Sequence, residues 1–202
     1  MNKLIEELVK KNIDKNHRFF KEVFEGEIYK PTINRGKLRT VIDLGAFHGE
    51  FSFYIYDLAD KIYAIEPHPD AFKNLVKNCK GLNKIIPAQL IVSNSNGYKW
   101  ISGNEDGGSH TTDDGIETEL KHKVKSKTLA TFIKENHIDN VDILKIDIED
   151  HEPYVFGSDD FKEIANKIKF IMGEHIGNSR VILEKYGFEY KETDYGPICE
   201  KI

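Results

Sequence analysis

The chain has 202 residues, 39% of them hydrophobic and 31% charged, with a formal net charge of −5. These values suit one soluble α/β domain and argue against a broad polyanion-binding surface. No apolar run approaches the length that spans a membrane, and the N-terminus Met1-Asn2-Lys3-Leu4 lacks a secretory hydrophobic region, so a cytoplasmic protein is expected. Two cysteines, Cys79 and Cys199, make neither a disulfide framework nor a zinc cluster.

Residues 2–12 carry Leu4, Ile5, Leu8 and Val9 at helical spacing. Phe19, Phe20, Val23 and Phe24 repeat that spacing before Pro31. Residues 1–38 therefore read as a helical N-terminal extension, either a packing cap over the core or a substrate lid or dimer contact.

The core begins with a strand over 39–44, apolar enough to be buried on both faces. It runs into Val41-Ile42-Asp43-Leu44-Gly45-Ala46-Phe47-His48-Gly49, a strand-to-helix turn with two glycines. A helix is expected over 49–59, with Phe51, Tyr54, Ile55 and Leu58 inward. A second strand over 61–65 ends in Glu66-Pro67, and a helix starts at Pro69 with Phe72, Leu75, Val76 and Cys79 as its stripe. A third strand falls within 85–92 and ends at Ser93-Asn94. Strand–helix–strand–helix–strand in this order makes a right-handed parallel half-sheet.

Residues 95–121 are rich in Gly, Asn, Asp, Ser and Thr. A hairpin at Tyr98-Lys99-Trp100-Ile101 and a functional loop through Gly107-Gly108-Ser109-His110-Thr111-Thr112 are expected there. Helices follow over 128–136, 153–165 and 179–186, the last stopped by Gly187. Buried strands fall over 141–146 and 168–172, and residues 188–190 and 198–202 read as a closing antiparallel pair. No repeat or linker divides the chain, which predicts a single domain over 1–202 with its core over 39–202.

In an open parallel sheet, ligands bind beyond the carboxyl ends of the strands. Each strand end here carries polar residues: Asp43 and Gly45, Glu66, Ser93-Asn94, Asp147 with Glu149, and Glu174-His175. The glycine spacing is Asp-x-Gly-x-x-x-Gly, not the Gly-x-Gly-x-x-Gly of a dinucleotide site. Glu66 lies about twenty residues past the loop, where a carboxylate can accept both hydroxyls of a ribose diol. Asp43 and Glu50 near the loop suit a sulfonium cation better than a diphosphate. S-adenosylmethionine is thus preferred over NAD, with Asp43, Gly45, Ala46, Phe47, Gly49, Glu66, Pro67, Ser93, Asn94 and Asp147 as cofactor-binding candidates. Phe47 and His48 are expected to wall the cofactor's amino acid tail.

Several of these motifs resemble the FkbM family of S-adenosylmethionine-dependent methyltransferases. They are Ile42-Asp43-Leu44-Gly45-Ala46, Glu66-Pro67, the turn from Ser93-Asn94 to Gly97, Gly107-Gly108-Ser109 and above all Leu144-Lys145-Ile146-Asp147-Ile148-Glu149. The resemblance covers about residues 40–175 in the right order. It implies an α/β fold with a doubly wound, mostly parallel, seven-stranded Rossmann-like sheet, and methyl transfer to a hydroxyl of a sugar or polyketide. The chain departs from the family where Gly-Ala-Glu is usual. It has Asp150-His151-Glu152 instead, and a bulky acid in place of Gly bears on the loop's geometry and on the substrate class.

A hydroxyl nucleophile needs a base or a metal as its proton leaves. Asp147, Glu149, Glu174 and His175 are the catalytic candidates, with Asp147 foremost. His110 and His151 read as surface histidines. No dedicated metal cage is evident, so Mg²⁺ on Asp147, Glu149 and Glu174 is not expected. The expected partner is a small-molecule or glycan acceptor, with no membrane and no broad nucleic-acid surface; an oligomer is compatible. The alternatives are an RNA or protein methyltransferase, or a non-catalytic S-adenosylmethionine-binding module. An NAD-dependent reductase is disfavoured by the glycine spacing and the lack of a Tyr-x-x-x-Lys pair.

Overall fold

A computed structural model describes Val23 and residues 29–33, 35–103, 110–112 and 121–202. The expected helices over 2–12 and through Phe19, Phe20 and Phe24, the Gly107-Gly108-Ser109 loop and the His110 side chain lie outside what is described. A short helix α1 (Lys30–Ile33) precedes strand β1 (Leu38–Leu44), in which Val41, Ile42, Asp43 and Leu44 are all buried. Continuous burial of this kind requires cover on both faces of the sheet.

The chain then runs through α2 (Glu50–Tyr54), β2 (Ala59–Ile65), α3 (Pro69–Asn78) and β3 (Ile85–Ala88). After an intervening small sheet it continues with α4 (Leu129–Glu135), strand Ile143–Ile146, α5 (Glu152–Phe156), strand Phe170–Met172, α6 (Arg180–Lys185) and strands Phe188–Lys191 and Ile198–Lys201. The small sheet contributes β4 (Ile91–Ser93), β5 (Gly97–Ser102), β6 (His110–Thr112) and β7 (Lys121–Thr128). The four later strands are thus β8 to β11 in chain order.

The main sheet has seven strands in the order β10-β11-β9-β8-β1-β2-β3. The pairs β1–β2, β1–β8, β2–β3 and β8–β9 are parallel, whereas β11 runs antiparallel to both β9 and β10. This is the doubly wound, mostly parallel sheet expected, closed by the antiparallel pair. Alternate residues feed opposite layers. Ile42, Leu44, Leu144 and Ile146 pack with Phe132, Phe156 and Phe161, while Val41, Ile62, Ile143 and Phe170 pack with Phe51, Phe53 and Leu75. Each fully buried Ile or Leu contributes about 1.5–3 kcal/mol.

The structure revises several expected elements. The third strand divides: Ile85–Ala88 forms the edge of the main sheet, and Ile91–Ser93 joins the small one. Pro87 fits only because β3 is an edge strand, where a missing N–H breaks no ladder. The helices expected over 49–59 and 153–165 are shorter. The second ends at Gly157 and continues as 3₁₀ turns at Phe161–Glu163 and Ala165–Lys167. Phe53 is buried although the expected stripe omitted it, and Val76 is exposed although the stripe included it. Strand β7 was not anticipated. Its sequence Lys-His-Lys-Val-Lys-Ser-Lys-Thr offers one apolar residue, Val124, which packs with Ile91 and Ile101 in a small cluster of its own. The order of the small sheet is β4-β7-β5-β6, and its inner face covers one side of the cavity described next.

Candidate active site

A cavity opens at the carboxyl ends of β1, β2 and β8, roofed by the small sheet. Of the residues singled out in the sequence, Gly45, Ala46, Phe47, Glu66, Pro67, Asp147 and Glu149 line it. Glu50, His68, Lys145 and His151 line it as well. Leu90, Ile91 and Val92 supply an apolar strip, and Ile101 and Thr111 reach in from the small sheet. Val23 and Tyr29 bring the N-terminal region to the same wall, where Tyr29 sits edge-on to Phe51 with centroids 4.6 Å apart.

Gly45 has φ 74°, and a Cβ there would lie 1.8 Å from the carbonyl oxygen of Asp147. The glycine is therefore demanded by the neighbouring β8 backbone, not by an approaching ligand. Its N–H and that of Ala46 both bond the carbonyl of Ile65 at 3.0 Å. The N–H of Phe47 donates to Glu66 Oε2 at 2.9 Å. The loop thus lacks the open row of N–H donors that cradles a pyrophosphate. Phe47 faces the cavity, but His48 does not line it. The His48 ring stacks on Phe47, its Nε2 lies 3.3 Å from Asn74 Nδ2, and its carbonyl accepts from Asn78 on α3.

Glu66 is held at both oxygens, by the N–H of Phe47 and by the N–H of His68 at 2.8 Å. Burial raises its carboxyl to about 7 against the pull of those two bonds. Two N–H bonds use about half of the acceptor capacity of a carboxylate, and the rest remains for a ligand. Glu50, in the first turn of α2, is also buried and raised to about 7 by burial. Its Oε1 has no hydrogen-bond partner among the described residues.

Asp43 does not reach the cavity. It is fully buried, accepts from Ser52 Oγ at 2.7 Å and lies 3.3 Å from Lys145 Nζ. Lys145 also donates to the carbonyl of Gly45 at 2.7 Å and stands 3.9 Å from Asp147 Oδ2. Burial opposes charge on Lys145, but Asp43, Tyr29 and Asp147 outweigh it and hold the ammonium well above its ordinary value, so Asp43–Lys145 is a charged pair. Sequence reasoning gave Lys145 no role. Its signal was a lysine inside the run Ile143–Ile146, where every residue is buried.

The turn after β8 bends through Glu149 (φ 55°) and Asp150 (φ 66°), both left-handed. Asp tolerates this conformation better than most residues, which is how the turn survives without the family's usual Gly. His151, read from the sequence as a surface residue, is 8% exposed and lines the cavity. Its Nε2 lies 2.8 Å from Ser93 Oγ, and its ring stacks on Tyr154. Ser93 is buried against His151 and Asn94 is exposed, and neither lines the cavity; nor does Gly49, where a Cβ would collide with Phe53 and Leu75. Glu174 is exposed and His175 turns to Asp150, its Nδ1 3.4 Å from Oδ1, so both lie outside the cavity wall. No helix among the described residues is long and apolar enough to cross a membrane.

Comparison with known proteins agrees with this geometry. The crystal structure of precorrin-6y C5,15-methyltransferase from Geobacter metallireducens GS-15 aligns at TM-score 0.55 and 11% identity, covering 94% of this chain and 93% of that one. Methyltransferase FkbM from Methylobacillus flagellatus KT aligns at 0.52 and 13% over 81% of this chain, which spans only 43% of that protein. TrmK from M. capricolum, solved with S-adenosylhomocysteine, aligns at 0.50 and 13%, covering 87% and 67% of the two chains. These likenesses show the Rossmann-like methyltransferase fold. No curated protein matches the sequence significantly. The profile of the methyltransferase FkbM domain matches residues 43–201. That match takes in the glycine turn, Glu66 and the whole β8 turn, and so the chain belongs to the FkbM methyltransferase family and is a methyltransferase.

Proposed function

We propose that the chain methylates a hydroxyl of a small molecule or sugar, with S-adenosylmethionine as donor. The observation that carries this reading is Glu66, a buried carboxylate fixed at both oxygens by backbone N–H groups yet facing the cavity. It suits a ribose diol. The orphaned Oε1 of Glu50 suits the ammonium of an amino acid tail, and Leu90–Val92 suit an adenine face. When bound, the cofactor supplies an electrophilic methyl group on a sulfonium.

Catalysis of methyl transfer is largely alignment of nucleophile, methyl and sulfur. Asp147 projects from the turn after β8 into the cavity, and its carboxylate oxygen takes the acceptor's hydroxyl proton. Lys145 Nζ stands 3.9 Å from its Oδ2. His151, braced by Ser93, shapes the acceptor side together with Tyr29. Calorimetry with S-adenosylmethionine tests the cofactor: Glu66→Ala is expected to weaken binding more than tenfold, and unchanged affinity would reject the assignment. Asp147→Asn is expected to abolish transfer of labelled methyl while affinity stays within about tenfold, or about 1.4 kcal/mol. Full activity would remove Asp147 as base.

A second reading, an RNA acceptor, is favoured by the outer face of the small sheet. Lys121, Lys123, Lys125 and Lys127 alternate along β7, opposite Tyr98 and Trp100 on β5, and Lys123 Nζ lies 5.2 Å from the Tyr98 ring. Lysines interleaved with aromatics are a single-strand stacking pattern. Label transferred to an RNA fraction but to no small molecule would select this reading.

A further inference from the structure

The small sheet meets the main sheet through a contact that methyl transfer does not use. His122 occupies the inward side of β7, opposite Ile101 and two positions from buried Val124. Its ring meets that of His68 edge-on, with centroids 5.3 Å apart and planes at 87°. His68 is the residue before α3, and Asp70 stands in the first turn of that helix. One ligand atom from each of His68, Asp70 and His122 lies within 4.8 Å of those of the other two. Among the described residues, no other group of three His, Cys, Asp or Glu side chains satisfies that condition.

A second observation points to a ligand. His68 is 4% exposed, and its Nδ1 is buried with no hydrogen-bond partner among the described residues. An unmatched buried polar atom of this kind costs about 1–3 kcal/mol. Binding a cation through the ring's lone pair would offset that cost, and Asp70 would supply the negative charge that balances the cation against the helix's positive end. Two imidazoles and one carboxylate suit a borderline ion. They are the donor set of three-ligand zinc sites, which leave a fourth position open, whereas Mg²⁺ and Ca²⁺ take oxygen donors. Donor atoms around tetrahedral Zn²⁺ lie about 3.3 Å apart. The present spacing therefore closes by small rotations of exposed Asp70 and half-buried His122.

We propose that His68, Asp70 and His122 bind one Zn²⁺ ion that clamps the small sheet to the start of α3. The clamp would steady the roof of the cavity, because Ile101 and Thr111 of that sheet line it. It would also steady Glu66, which His68 holds through its backbone N–H. The site stands on these three side chains alone and does not depend on the choice of cofactor or acceptor.

The test uses the full chain, stripped with a chelator and titrated with Zn²⁺ by calorimetry and with Co²⁺ by visible absorption. One ion per chain is expected, with the intense ligand-field band of low-coordinate Co²⁺. Asp70→Asn and His122→Ala, both on the surface side of the site, are expected to weaken Zn²⁺ at least tenfold and to diminish the band. Their circular dichroism should match the parent. Zn²⁺ should raise the melting temperature of the parent but not of either variant. An absence of stoichiometric binding to the parent overturns the proposal. So does equal affinity in the two variants, which would place the ion on others of the chain's eight histidines.

Discussion

The turns after β1 and after β8 lie side by side at the floor of the cavity, and both bend through left-handed backbone. The first places Gly45 at φ 74° and the second places Glu149 and Asp150 at φ 55° and 66°. Only the first needs a glycine. A Cβ at Gly45 would strike the Asp147 carbonyl at 1.8 Å, whereas the side chain of Asp150 stands clear and accepts a hydrogen bond from Asn178 Nδ2 at 3.1 Å. The contrast separates two demands that are often merged. A left-handed dihedral costs a side chain about 1–2 kcal/mol, but a neighbouring backbone within contact distance forbids one. Lys145 ties the two turns together, since its ammonium meets Asp43 and the Gly45 carbonyl of the first and Asp147 of the second.

The largest effect should come from cutting that tie. Lys145→Ala leaves the carboxylate of Asp43 buried without its cation, and loss of one partner of a buried pair costs about 3–5 kcal/mol. Urea unfolding should show it, and Asp43→Asn in the same chain should restore part of the loss. A loss under about 1 kcal/mol would mean that the two turns hold their geometry without the lysine. Gly45→Ala comes next. The dihedral penalty and the collision with Asp147 together should cost about 2–4 kcal/mol and reduce cofactor affinity as the β8 turn shifts. If Gly45→Ala unfolds at the same urea concentration as the parent, proximity is not what selects glycine there.

The asymmetry between these turns also explains what could be read from the sequence. The main sheet was legible because its strands are short apolar runs ending in acids, and strands buried on both faces leave that trace. Gly45 was legible as a turn glycine, but its reason was not, because the Asp147 carbonyl comes from a strand a hundred residues away. Asp43 read as a ligand contact for the same cause, since its partner Lys145 is equally distant. His151 looked like a surface residue because nothing local shows that the left-handed turn rotates it inward toward Ser93. The small sheet was half legible. The hairpin strand β5 carries Trp100 and Ile101, whereas β7 buries only Val124 among the apolar types and alternates lysines on its outer face, a pattern that reads as loop.

Each turn leads into a short helix whose first residue is a buried glutamate, Glu50 in one and Glu152 in the other. Glu152 Oε1 accepts from the N–H of Ile148, and each glutamate leaves one buried oxygen, Glu50 Oε1 and Glu152 Oε2, without a hydrogen-bond partner among the described residues. Burial is the largest cause of a raised carboxyl at both, and Glu50 is the one that also lines the cavity. Burial raises its carboxyl from 4.5 to about 7, so between those values the folded chain keeps a proton that the unfolded chain has lost. Stability then falls as pH rises through that window, by roughly 3 kcal/mol in all at about 1.4 kcal/mol per unit. Glu50→Gln should flatten this decline and gain about 2–3 kcal/mol above pH 7, with little change near pH 4. Glu66 has the same sign and remains in both proteins. Parallel stability–pH curves for parent and variant would show that Glu50 is not the group responsible.

The smallest effect should be at Asp150, where the chain carries an acid and the family usually carries Gly. Asp150→Gly releases the left-handed penalty, which for Asp is at the low end of about 1–2 kcal/mol. It also frees the unfolded chain, at about 0.5–1 kcal/mol, and removes an exposed hydrogen bond from Asn178 and the contact with His175. These contributions oppose one another, and the variant should unfold within about 0.5 kcal/mol of the parent. A gain beyond about 1.5 kcal/mol would mark the turn as held under real strain. A loss of that size would show that Asn178 and His175 hold the turn through Asp150. A near-neutral result beside a large loss at Gly45 would establish that the two left-handed turns differ in what stands next to them and not in their dihedrals.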